Sequence, residues 1–108
     1  ALRYFNIFGP RQAFDSPYSG VTAKFCTALL KGQRPVVHGD GLQSRDFTYV
    51  ANAVSANLRA AEAPVERVAG RVFNVACGQS VTLLQILADL NELTGQSLEP
   101  EFQPGRIG

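Results

Sequence analysis

Two segments of the 108-residue sequence combine an apolar run with glycine and then arginine. One occupies residues 2–11 and the other residues 39–50. In the second segment, Arg45 follows a glycine turn, and a planar guanidinium can hold two phosphate oxygens at once. The residues alone leave a plainer interpretation open, in which Arg45 forms an ion pair with Asp46 or Asp40.

Three other polar or aromatic side chains could contact a ligand. Asn6 lies near the end of an apolar run, where it could bind a sugar hydroxyl or a backbone group of its own loop. Tyr18 lies at the start of a predicted helix and could stack on a planar ring or pack against that helix. We interpret His38 as a half-exposed strand residue and not as a catalytic base.

The elements that must position these residues alternate between strands and helices. Apolar runs predict strands at 2–8, 35–38 and 71–76, and an extended segment at 45–49. Apolar periodicity predicts helices at 18–31 and 50–62. On the second helix the apolar stripe is Val50, Val54, Leu58 and Ala61, with Asn57 and Arg59 outward, and Pro64 marks its end. A third helix follows, which Ser80 or Thr82 caps and Gly95 ends. Phe102 could lie on a last short strand. This mixture predicts an α/β or α+β protein.

The composition excludes several functional classes. A net charge of +1 gives no basis for binding nucleic acid or an anionic membrane, and no apolar run approaches the ~20 residues of a membrane helix. Cys26 and Cys77 lack metal-ligand spacing and each lies in an apolar run. We therefore expect buried free thiols, no metal site and a cytoplasmic protein.

The sequence contains no complete catalytic set. It has no glycine-rich dinucleotide loop and no Gly-x-Ser-x-Gly motif. None of its three tyrosines has a lysine four residues later. We therefore assign no catalytic residue and expect the chain to be inactive by itself.

Three ordered motifs resemble one family. They are Arg-Tyr-Phe-Asn-Ile-Phe-Gly-Pro-Arg at 3–11, Gly-Asp-Gly with Ser-Arg-Asp-Phe and Tyr-Val at 39–50, and Phe-Asn-Val-Ala-x-Gly at 73–78 with Thr-Leu at 82–83. Together they resemble the extended short-chain dehydrogenase/reductase family, in particular its NAD-dependent nucleotide-sugar epimerases and dehydratases. UDP-hexose and UDP-N-acetylhexosamine 4-epimerases are the most similar members. The resemblance implies an α/β, Rossmann-type fold and a single C-terminal substrate-binding lobe over 1–108, in which residues 1–9 match a strand of a sheet that is otherwise missing.

The resemblance also implies roles for individual residues near the cofactor and the sugar. Tyr4 and Phe5 would line the nicotinamide of NAD. Asn6 would contact the nucleotide sugar near its diphosphate.

The resemblance also implies which residues bind the uracil base and the diphosphate of the nucleotide. The segment from Tyr18 to Val21 would lie near the uracil, and the backbone groups of Val36 and His38 would bind the edge of that base. Arg45 would bind the diphosphate.

The implied activity is epimerisation at C4 of a UDP-hexose through a 4-keto intermediate in a full-length enzyme. Two alternatives stay open: a 4,6-dehydratase or decarboxylase of the same family, and a non-catalytic fragment that self-associates. The family's catalytic Tyr-x-x-x-Lys pair and its second diphosphate arginine are missing from these residues, and Ala51 replaces a customary aspartate. Because the strand at 2–7 would expose an edge, we also expect a homo-oligomer.

Overall fold

The computed structural model describes residues 1–15 and 20–105. Within them, helices and short strands alternate along the chain, which confirms the predicted α/β class. In chain order the elements are β1 (Leu2–Tyr4), β2 (Ile7–Phe8), α1 (Val21–Leu30), β3 (Val36–His38), β4 (Ser44–Arg45), β5 (Thr48–Tyr49), α2 (Val50–Glu62), α3 (Val65–Val68), β6 (Phe73–Val75), β7 (Val81–Thr82), α4 (Leu83–Thr94) and β8 (Glu101–Gln103).

These residues form two compact units, each built from two separate stretches of chain. The first unit contains Ala1–Pro10 and Asp46–Ser80, and the second contains Arg11–Arg45 and Val81–Gly108. The single substrate-binding lobe over 1–108 stays a prediction.

The predicted strand at 2–8 is divided in the structure. Asn6 has a φ of 37°, which is left-handed backbone and interrupts the extended conformation. As a result, β1 pairs in parallel with β6, whereas β2 pairs in parallel with β5. Edge-to-face contacts of Phe8 with Phe47 and Tyr49 hold the second pair together.

Helix α2 of the first unit has the predicted bounds, but its larger apolar side chains point outward. The buried residue of this helix is Ala53, a small side chain that lets the helix lie close to its strands. Val54 and Leu58 are 53% and 58% exposed. The predicted apolar stripe is therefore a solvent-facing surface of this unit.

The second unit has a continuous core between α1 and α4. Phe25 and Leu29 of α1 pack with Val37 of β3 and with Leu83 and Leu87 of α4. Alongside this core, β3 pairs in parallel with β8, and β4 pairs antiparallel with β7.

Both ends of α4 follow the sequence prediction. The hydroxyl of Thr82 accepts a hydrogen bond from the backbone N–H of Gln85 at 3.1 Å, which caps the first turn. Gly95 ends the helix at a φ of 66°, in the left-handed conformation that glycine adopts without steric cost.

The two cysteines differ in exposure. Cys26 is partly buried, and burial raises the pKa of its thiol. Cys77 is exposed, so the expectation of burial is wrong for this residue, which lies in the loop that follows β6. In the part of the chain that the structure describes, no helix combines the length and apolar character needed to cross a membrane.

Thr48 in the first unit is a buried polar residue with an unused hydroxyl. The residue is 1% exposed, and its Oγ1 has no hydrogen-bond partner among the described residues. An unpaired buried hydroxyl costs about 1–3 kcal/mol. We therefore expect Thr48→Val to raise the free energy of unfolding by about 1 kcal/mol in urea denaturation.

Thr82→Val is the matched control for that substitution. Because the Thr82 hydroxyl caps α4, its removal should lower the free energy of unfolding by about 0.5–2 kcal/mol. Destabilisation by both substitutions would contradict the assignment of the Thr48 hydroxyl as unpaired.

Candidate functional site

A cavity of about 750 Å³ opens in the second unit. One wall is a face of α1 and another is β3. The segments that flank β3 and single residues of β4, β8 and α4 complete it. Its lining residues are Val21, Lys24, Phe25, Ala28, Gln33, Arg34, Val36, His38, Gln43, Arg45, Leu83 and Gln103.

Four of the residues predicted from the sequence line this cavity: Val21, Val36, His38 and Arg45. They come from α1, β3 and β4, which lie far apart in the sequence. Tyr18 lies outside the described residues.

One edge of β3 presents its backbone groups away from the sheet. On the other edge, the carbonyl of Pro35 accepts a hydrogen bond from β8 at 2.8 Å, and the N–H of Gly39 donates to the carbonyl of Gln103 at 2.9 Å. In a parallel pair of strands, every second residue of one strand forms its backbone hydrogen bonds with the partner strand, and the backbone groups of the residues between them point the other way. The backbone N–H and C=O groups of Val36 and His38 therefore point to the edge opposite β8.

Gln43 and Pro104 fix the surroundings of His38. The side-chain Nε2 of Gln43 donates to the His38 carbonyl at 2.7 Å. The Nδ1 atom of His38 lies 3.4 Å from the Pro104 carbonyl. Because a carbonyl only accepts, Nδ1 is the donor in this contact.

The guanidinium of Arg45 has no carboxylate partner among the described residues. Its Nη1 donates to the carbonyl of the preceding Ser44 at 2.8 Å. Asp40 accepts instead from the N–H of Leu42 at 2.9 Å. Asp46 accepts from the backbone N–H groups that follow β6, at Cys77 and Gly78, at 2.9 and 2.7 Å. The alternative ion pairs are therefore not formed.

Within residues 1–15 and 20–105, two further cations line the cavity, and no acidic residue does. Arg34 is held in place, since its Nε and Nη2 donate to the carbonyls of Glu99 and Pro100 at 3.1 and 2.7 Å. Lys24 is exposed on α1. Sequence reasoning missed Lys24, although its spacing of three residues from Val21 places both on one helix face.

The remaining candidates belong to the first unit. The Nδ2 of Asn6 donates to the carbonyl of Asp46 at 2.8 Å, so the donor half of this amide already binds the backbone. The hydroxyl of Tyr4 accepts from the Nδ2 of Asn57 at 2.7 Å, and Tyr4 is 48% exposed. Phe5 is half-buried beside it.

A sequence profile of the NAD dependent epimerase/dehydratase family matches residues 1–76. The chain is 42% identical over 96 residues to the UDP-N-acetyl-alpha-D-glucosaminuronate decarboxylase of Bacillus cytotoxicus, and this alignment covers 89% of the chain and 29% of the relative. This chain covers between 29% and 33% of the length of the first three curated relatives that it matches.

Solved structures agree with this match. The crystal structure of UDP-glucose 4-epimerase from Thermotoga maritima with UDP-glucose has a TM-score of 0.90 and 39% identity, over 99% of this chain and 33% of that one. UDP-glucuronic acid 4-epimerase from Bacillus cereus, in complex with UDP-glucuronic acid and NAD, has a TM-score of 0.85 and 29% identity, over 96% and 32% of the two chains. The family resemblance of the three sequence motifs is thus confirmed, and the chain belongs to the NAD dependent epimerase/dehydratase family.

Proposed function

We propose that this chain is the nucleotide-sugar-binding portion of an NAD-dependent UDP-sugar 4-epimerase. The observation that carries the proposal is the guanidinium of Arg45, which lines a cavity without a carboxylate partner among the described residues. The binding of UDP-glucose and UDP-glucuronic acid by proteins of similar structure supports the same ligand class.

The free edge of β3 suits a uracil base. Uracil presents one N–H donor between two carbonyl acceptors, and a strand edge offers backbone carbonyls and N–H groups side by side. In this proposal the Val36 carbonyl accepts from the base and the His38 N–H donates to it. The hydrogen bond from Gln43 to the His38 carbonyl fixes the next peptide, between His38 and Gly39, at the end of this edge.

Arg45 would bind the diphosphate. A hydrogen bond to a charged group contributes about 1.5–3 kcal/mol, and a guanidinium can make two of them to neighbouring oxygens. A tight hold on the constant part of the substrate leaves the hexose free to turn between its two faces. Val21 and Tyr18 would lie beside the base, as the family resemblance implies.

The first unit would contribute to the sugar and the cofactor. The Oδ1 atom of Asn6 is an acceptor that suits a sugar hydroxyl, while its Nδ2 is engaged with the backbone. Tyr4 and Phe5 present aromatic surface that fits a nicotinamide ring. NAD, when bound, supplies the hydride acceptor for oxidation at C4. Its phosphates find no glycine-rich loop in these 108 residues.

A 4,6-dehydratase or decarboxylase is the second candidate. The 42% identity to a UDP-N-acetyl-alpha-D-glucosaminuronate decarboxylase favours it. The residues proposed for the base and the diphosphate would serve either reaction, because they would contact the nucleotide and not the reacting carbons. The active-site residues that would discriminate between these reactions are not among these 108 residues.

Calorimetric titration of the full chain with UDP and with uridine tests the proposed binding function. We expect saturable binding of UDP, with uridine weaker because it lacks the phosphates that Arg45 would bind. A chain that binds neither ligand at millimolar concentration, while its thermal unfolding remains cooperative, would contradict the proposal.

Self-association is a separate candidate. Val54 and Leu58 of α2 and Phe73 of β6 are apolar side chains exposed on the first unit, and β1 pairs with β6 alone among the described strands. Apolar surface and an unpaired strand edge both favour association. We therefore expect an oligomer in light scattering at high concentration, and a monomer at every concentration would contradict this expectation.

We also propose a cytoplasmic location. Cys26 and Cys77 are both free thiols, a state that suits a reducing compartment. A fractionation that recovers the protein only outside the cytoplasm would exclude it.

A further inference from the structure

The charge of the nucleotide cavity is concentrated on few side chains. The whole sequence carries a net charge of +1, whereas the cavity is lined by Lys24, Arg34 and Arg45 with no acidic residue among the lining groups. Helix α1 itself, with the sequence Val-Thr-Ala-Lys-Phe-Cys-Thr-Ala-Leu-Leu, also contains no acidic side chain. Nothing along this helix neutralises the ammonium group of Lys24.

The three cations differ in what already binds them. Arg34 donates to two backbone carbonyls and serves to join the segment before β3 to the segment before β8. Among the described residues, Arg45 donates only to the carbonyl of Ser44. For the ammonium of Lys24, the same part of the chain provides no hydrogen-bond or ion-pair partner. Of the described cations that line the cavity, Lys24 and Arg45 are thus the two that can still bind a ligand.

The position of Lys24 follows from the helix geometry. Val21, Lys24, Phe25 and Ala28 are spaced at three, four and seven residues, so they share one face of α1, and all four line the cavity. Phe25 is anchored in the core, which fixes this face. The flexible four-carbon stem of Lys24 can then bring its charge to a ligand beside that face.

We propose that Lys24 supplies a second positive charge for the diphosphate, in addition to Arg45. The inference rests on the proposed function. A UDP-sugar carries one negative charge on each of its two phosphate groups, and Arg45 would neutralise one of them. The second diphosphate arginine that the family resemblance implies is not among these 108 residues. A compact ammonium with three rotatable donors suits the other phosphate without a fixed approach direction.

The test is calorimetric titration of the full chain and its Lys24→Gln variant with UDP and with uridine. We expect the substitution to weaken UDP binding by about tenfold, the effect of losing one charge-assisted hydrogen bond at an accessible site. Uridine binding should be unchanged. The dependence of UDP affinity on salt concentration should also become shallower, because exposed charges are screened by salt. Lys24→Arg should retain most of the affinity for UDP.

Lys31→Gln is the matched control, since Lys31 follows the same helix and does not line the cavity. It should bind UDP as the wild-type chain does. If the wild-type chain binds no UDP, the proposed function itself fails. If the wild-type chain binds UDP and Lys24→Gln binds it equally well, the function stands and the role of Lys24 is refuted. An equal loss for UDP and uridine would also refute it, because the lysine would then act on the base or on the fold.

Discussion

Replacement of Arg45 by alanine should weaken UDP binding by about 10- to 100-fold, the range expected for losing one or two charge-assisted hydrogen bonds at a partly solvated site. The side chain lines the cavity, and the one hydrogen bond that it makes within the described residues, to the Ser44 carbonyl, is local. The loss should therefore appear in binding and not in stability. Thermal unfolding of the variant should match that of the wild-type chain within about 0.5 kcal/mol.

Two further variants make this result specific. Arg45→Lys keeps the charge and loses the planar fork, so its affinity for UDP should lie between those of the wild-type chain and Arg45→Ala. Arg67→Ala removes an exposed arginine from α3 in the first unit and should leave UDP binding unchanged. Equal affinity of Arg45→Ala and the wild-type chain would show that Arg45 does not contact the ligand.

The second large effect concerns stability and uses two adjacent leucines of α1. Leu29 is completely buried against α4, whereas Leu30 is 78% exposed. Leu29→Ala leaves a cavity in the core of the second unit and should lower the free energy of unfolding by about 2–5 kcal/mol. Single domains are stable by only about 5–15 kcal/mol, so this loss could unfold much of the protein.

Leu30→Ala makes the same chemical change on the solvent side of the helix. There it should change the free energy of unfolding by no more than about 0.5 kcal/mol. Urea denaturation, monitored by circular dichroism, measures the free energy of unfolding of both variants. Because α1 forms a wall of the cavity proposed to bind UDP, Leu29→Ala should also lose UDP binding under conditions in which it is partly unfolded. Similar unfolding curves for the two variants would contradict the placement of Leu29 in the core.

Local signals in the sequence predicted the regular elements well. The bounds of α2 and the two caps of α4 follow from apolar periodicity, from the Thr82 hydroxyl and from Gly95, each of which acts within a few residues. The division of the first strand at Asn6 was not predicted, because it depends on two different partner strands, β6 and β5, that lie far along the chain.

Contacts between residues far apart in the sequence also decide which face of a helix is buried, and the sequence did not predict this face for α2. Periodicity identified the apolar stripe of α2 but could not tell which side of the helix faces its strands, and Ala53 proved to be the buried residue. The four-residue helix α3 is too short to produce a periodic pattern. It follows Pro64, which the sequence marked only as the end of α2.

The candidate site was predicted in part. Arg45 was identified from a glycine turn and from the family resemblance, and the structure adds that Asp40 and Asp46 bind backbone N–H groups instead of this arginine. Lys24 and Gln43 were not singled out from the sequence. Both owe their place in the cavity to the packing of α1 and the turn after β3, which no local pattern specifies.

We propose that the cavity of the second unit binds a nucleoside diphosphate. Two-dimensional ¹H–¹⁵N NMR of the full chain during a titration with UDP tests it most directly, because each backbone amide reports on its own surroundings. We predict that the largest shifts occur at the amides of Val36, His38 and Arg45, with saturation at a single affinity. Shifts confined to other residues, or no shifts at millimolar UDP, would contradict the account.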